Sequence, residues 1–73
     1  MPMLYSSKQV EKTLEIHGFF FVSQRGSHAK YRKKGKPTLT VIVPAAKKEI
    51  PYGTLKSILR QSKLTEEDFR KKK

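Results

Sequence analysis

The chain has 73 residues, no cysteine and no tryptophan, and 17 Lys and Arg against six Asp and Glu, for a net charge of +11. That length allows one small domain, expected over residues 1–73 with a short basic tail at about 70–73, whose core rests on a few large side chains. Without cysteine there are no disulfide staples or thiolate zinc sites, which suits a reducing compartment.

No apolar run approaches the length of a bilayer span, and Met1-Pro2-Met3-Leu4-Tyr5 lacks the basic-then-apolar pattern of a signal peptide. A soluble cytoplasmic protein without membrane contact is therefore expected. The terminal Arg70-Lys71-Lys72-Lys73 supplies four of the positive charges, and +7 remains without it. Such a field favours a polyanionic partner and speeds encounter with it. Nucleic acid comes first, with an acidic protein or an anionic surface behind it.

Ser6 and Gln9 have the spacing of a capping box and open a helix in which Val10, Thr13, Leu14 and His17 share one face. Gly18 follows where a helix commonly ends in a left-handed residue. Phe19 to Gln24 is the expected first strand, with two of its three phenylalanines directed into the core and the third elsewhere. Arg25-Gly26-Ser27 makes the turn, with Gly26 supplying a positive φ.

His28 to Lys33 is the second strand. Ala29 and Tyr31 share its inward face, while His28, Lys30 and Arg32 share the other. Phe20 would join that second face if the hairpin register permits. Gly35-Lys36-Pro37 closes a second hairpin, and Thr38 to Val43 forms a β-branched third strand with Leu39, Val41 and Val43 on one side, ended by Pro44. This third strand is a candidate edge for pairing.

Ala45 to Ile50 reads as a loop carrying Lys47, Lys48 and Glu49. Pro51 then opens a second helix with a buried stripe of Leu55, Ile58 and Leu59 and a basic ridge of Lys56, Arg60 and Lys63. Thr65-Glu66-Glu67-Asp68 resembles a further helix cap, with Phe69 as an anchor. The fold class is α+β: a helix, a three-stranded antiparallel sheet and a helix, with both helices on one sheet face and the other face wet and cationic.

Taken in order, Gly18-Phe19, Gln24-Arg25-Gly26-Ser27-His28, Tyr31, Val43-Pro44, Lys48-Glu49-Ile50-Pro51, Gly53-Thr54-Leu55 and Ile58-Leu59-Arg60-Gln61 closely resemble the HicA toxin family over about Ser6 to Phe69. The resemblance implies a double-stranded-RNA-binding-domain-like fold. It also implies an mRNA interferase of a toxin–antitoxin pair, a catalytic histidine at His28 and a HicB-like antitoxin that covers the site. One departure stands out: many members carry a further histidine in the loop after Val-Pro, where this chain has Ala45-Ala46.

The residues support the same chemistry without the family name. Metal-free RNA cleavage needs a base for the 2′-OH proton, cations at the crowded phosphate and an acid for the leaving oxygen. Histidine, with a reference pKa of ~6.5, suits the proton step, and Lys30 and Arg32 on the same strand face suit the phosphate. Lys48 and Tyr31 are candidates for the second proton-transfer group, whereas His17 on the first helix's stripe reads as a core or helix-end residue.

Candidate nucleic-acid contacts are Arg25, Gly26, Ser27, Lys30, Arg32, Lys48, Lys56 and Arg60, with RNA as substrate and no metal or small-molecule cofactor expected. The acidic residues sit where they solvate or cap helices, away from His28. Two other functions fit the same face: a non-catalytic RNA-binding module, and a decayed toxin.

Overall fold

The computed structural model describes residues 4–70; the outermost residues of the basic tail and Met1-Pro2-Met3 lie outside them. The elements are α1 (Ser7–Ile16), β1 (Phe20–Arg25), β2 (His28–Lys33), β3 (Leu39–Pro44), α2 (Tyr52–Ser62) and α3 (Glu66–Arg70). This is the expected α+β order with one short helix added. The strands form one antiparallel sheet in the order β1-β2-β3. Ala29, Tyr31, Val41 and Val43 join Val10, Leu14, Leu55, Ile58 and Phe69 in one buried cluster, so the helices cover one face of the sheet and leave the other bare.

Both ends of α1 are set by local chemistry. The Gln9 N–H donates to Ser6 Oγ at 3.1 Å and the Ser6 N–H donates to Gln9 Oε1 at 2.9 Å, which completes the capping box. Tyr5 and Val10, at the positions of a hydrophobic staple, are both buried. At the other end Gly18, with φ of 96°, donates its N–H to the Glu15 carbonyl at 3.1 Å, and Phe19 donates to the Leu14 carbonyl at 2.9 Å. This pair of bonds is a Schellman motif, whose characteristic apolar contact joins the residue after the glycine to the one three back from the cap. Leu14 and Phe19 occupy those positions, and both are buried. His17 is the half-buried cap residue, as its helix-end reading anticipated.

The Schellman motif corrects the expectation for the phenylalanines. Phe19 belongs to the helix cap, so β1 begins one residue later and only Phe19 enters the core. Phe20 and Phe21 remain 44% and 52% exposed. The helices lie toward β3, which leaves β1 the thinly covered edge. Phe21 meets Tyr31 edge-on across the strand pair, with ring centroids 5.8 Å apart.

Ser7 ties α1 to the far end of β3. Its buried hydroxyl donates to the Pro44 carbonyl and accepts from the Lys47 N–H at 2.9 Å, while its own N–H donates to the Lys47 carbonyl at 2.9 Å. Ser7→Ala strands two backbone groups at once. A loss of about 1–3 kcal/mol is expected, read by circular dichroism as a Tm lower by about 5–15 °C. An unchanged Tm would show that water replaces the hydroxyl at no cost.

The remaining elements follow the sequence with small shifts. Pro51 is the cap of α2 rather than its first residue and provides no side-chain cap bond. Lys63 lies past the helix with φ of 65°, which removes it from the expected ridge. Thr65 and Asp68 cap α3 reciprocally: the Thr65 N–H donates to Asp68 Oδ2 at 3.0 Å, and the Asp68 N–H donates to Thr65 Oγ1 at 3.3 Å. Phe69 is buried against Tyr5, with ring centroids 6.1 Å apart. On the outer edge of β3 the Ile42 N–H donates to Gln61 Oε1 of α2 at 3.0 Å, and Pro44 has no N–H to offer. That edge is therefore partly covered, which makes it a poor template for strand pairing.

Candidate functional site

The bare sheet face is built by three strands and one irregularity. In β2 simple alternation sends His28, Lys30 and Arg32 outward and buries Ala29 and Tyr31. Arg25 pairs with His28 across a two-residue turn in which Gly26 takes a φ of 56°, as the first central residue of a type II′ turn does. Strict alternation from Arg25 would then place Ser23 and Phe21 on the bare face.

A register shift between Phe21 and Ser23 inserts Val22 as an extra residue, so that Ser23 faces Lys30 while Phe20 faces Arg32. From β3, Pro44, Ile42 and Thr40 stand beside His28, Lys30 and Arg32 respectively. The whole face thus presents Phe20, Ser23, Arg25, His28, Lys30, Arg32, Thr40, Ile42 and Pro44. None of these is acidic.

A shallow pocket of about 400 Å³ opens on this face, lined by Ser23, Arg25, His28, Lys30 and Ile42. The His28 side chain is exposed. Arg25, expected in the turn, is instead the last residue of β1 and stands directly opposite the histidine. Gly26 and Ser27 form the turn at the same end of the sheet, and the Ala45 N–H donates to the Ser27 carbonyl at 2.7 Å. The loop holding Ala45 and Ala46 is thereby fastened beside the His28 end of the hairpin, with Ala46 at a φ of 57°.

Other expected contacts lie elsewhere. Arg32 is on the bare face, one step beyond the pocket lining. Lys48 is an exposed residue of the loop between β3 and α2. Lys56 and Arg60 are on α2, which packs its Leu55 and Ile58 into the covered side of the sheet. The Lys56 ammonium lies 5.8 Å from the centre of the Tyr52 ring, and Arg60 donates to Ser57 Oγ at 3.4 Å. None of these three lines the pocket.

Tyr31 is ruled out as a proton-transfer partner for His28, because it points into the core from the opposite face. Burial, with Glu11 and Glu15 adding to it, pushes its phenol above the usual range and keeps the proton on. Ser23 and Ile42 line the pocket without having stood out in the sequence; only the strand register reveals them. Among the described residues no three of His, Cys, Asp and Glu come together, and no helix is long and apolar enough to cross a membrane.

The fold and this face define a small α+β domain that displays a histidine among cations on an open antiparallel sheet. A family model described as the HicA toxin of bacterial toxin–antitoxin matches residues 7–64, well over half of the chain. The chain belongs to the HicA toxin family, the toxin side of a bacterial toxin–antitoxin system. No match is found among curated proteins.

Proposed function

We propose that this toxin is an mRNA interferase, an endoribonuclease that cuts messenger RNA on its bare sheet face with His28 as the catalytic base and without a metal ion. The observation that carries this reading is the exposed histidine set opposite Arg25 and beside Lys30 on a face free of acidic side chains. His28 takes the proton of a ribose 2′-OH, and the resulting oxygen attacks the adjacent phosphorus. The bond to the 5′-oxygen of the next nucleotide breaks as the new bond forms. The products are a 2′,3′-cyclic phosphate and a 5′-hydroxyl, whose proton comes from solvent or from protonated His28.

The guanidinium of Arg25 and the ammonium of Lys30 stabilise the charge that accumulates on the phosphoryl oxygens. Arg32, Gly26 and Ser27 extend the backbone contacts along the same face. Lys48, Lys56 and Arg60 serve RNA only if it wraps beyond the sheet; α2 equally offers those cations to an acidic protein. Ala45 and Ala46 bring no second proton donor to the His28 end of the hairpin, so turnover is slow.

One HicA-like domain with a basic tail suffices for this activity, carried out in the cytoplasm where messages are. The neutralising partner is a HicB-like antitoxin whose acidic surface covers the bare face. The test is cleavage of end-labelled mRNA by the purified full chain with and without a chelator. Cleavage that persists with the chelator, leaving cyclic-phosphate ends, is expected. Binding without cleavage would identify a non-catalytic RNA-binding module or a decayed toxin, and cleavage abolished by the chelator would overturn the metal-free mechanism.

A further inference from the structure

Phe20 is a large aromatic residue left 44% exposed on the bare face, and its placement there depends on an irregularity. Without the extra Val22, alternation from the Arg25–His28 pair would turn Phe20 to the covered side and bring Phe21 out. With it, Phe20 lies directly across from Arg32, four residues along β2 from His28, or about 13 Å away. Lys30 and Arg32 fill the row between the ring and the histidine, and no carboxylate interrupts that face. An apolar ring at the end of a row of cations is the arrangement that binds single-stranded nucleic acid, with the cations on the phosphates and the ring under a base.

We infer that Phe20 is a base-stacking platform that holds an unpaired nucleobase of the substrate a few nucleotides from the phosphate cut at His28. This rests on the reading of the bare face as an RNA-cleaving surface and adds a requirement to it: the substrate is single-stranded where it crosses β1. A stacked base fixes the strand's position on the sheet, so that the phosphate downstream settles over Arg25, His28 and Lys30. Stacking accepts any base, and Phe20 therefore sets the strandedness of the target rather than its sequence. An acid-free cationic surround favours a polyanion over an apolar protein partner at this ring.

The experiment measures binding of a fluorescein-labelled single-stranded RNA to the full chain carrying His28→Ala, so that the probe survives, over a range of salt concentrations. Adding Phe20→Ala should weaken binding about tenfold or more without changing the slope of log K against log salt. Lys30→Ala should instead flatten that slope by about one. Phe20→Leu should recover little, because it restores apolar surface without a π face. Phe20→Trp should keep the affinity, and because the chain has no other tryptophan, its fluorescence should be quenched as RNA is added.

Affinity within about twofold of the parent in Phe20→Ala, with the Lys30→Ala loss present, overturns the stacking inference and leaves the RNA face standing. The same result with loss of antitoxin binding would assign the ring to protein docking instead. A parent that binds no RNA even at low salt would overturn the RNA reading itself, and the stacking inference with it.

Discussion

His28→Ala abolishes detectable RNA cleavage while the protein stays folded and keeps most of its RNA affinity. A positioned general base contributes about 10²–10⁴-fold to a proton transfer of this kind, and the sheet offers no replacement. The facing residue is Arg25, the neighbours are Lys30 and Pro44, and Tyr31 points the other way. The side chain is exposed, so its truncation leaves no cavity, and the cations that bind phosphate are untouched. Single-turnover cleavage of labelled RNA, with anisotropy for binding and circular dichroism for folding, separates these effects. Equal rates from parent and variant would place the activity at another site or in a contaminant.

Leu14→Ala is the substitution expected to cost most stability. Leu14 is fully buried, stands on the face of α1 that meets the sheet, and accepts the Phe19 N–H through its carbonyl at the helix cap. Shortening such a side chain costs about 2–5 kcal/mol, part in lost transfer energy and part in the cavity left behind. A domain this small has little more than that in total, so the variant should be largely unfolded near physiological temperature. Urea titration of Leu14→Ala beside Ile16→Ala makes the comparison internal. Ile16 is 72% exposed on the same helix, and its truncation should move stability by no more than about 0.5 kcal/mol. Similar midpoints for the two variants would contradict the assigned core.

The parts of the fold that sequence reveals are those fixed by neighbours in the chain. Ser6 and Gln9 announce the start of α1, Gly18 its end, and the alternation from His28 to Arg32 separates a buried from a bare face because nothing interrupts it. The parts that escape depend on groups far apart in sequence or on a broken period. Three consecutive phenylalanines give no clue that the first serves a helix cap. The extra Val22 then changes which of the other two faces His28's side. Ser7 reads as one more serine in a first turn, and only the folded chain shows it holding Pro44 and Lys47. Arg25 was legible as a basic residue near the histidine, but its place directly opposite His28 required the two-residue turn to be seen.

The register shift at Val22 gives one short strand two independent clocks. Residues before it keep time with the helix cap, which needs Phe19 inside; residues after it keep time with the hairpin turn, which needs Arg25 over the histidine. Neither demand constrains the other. The rule for which positions accept polar or bulky replacements therefore reverses partway along β1, from odd to even numbers. Evolution can then retune the RNA-facing half of the strand without disturbing how the first helix docks.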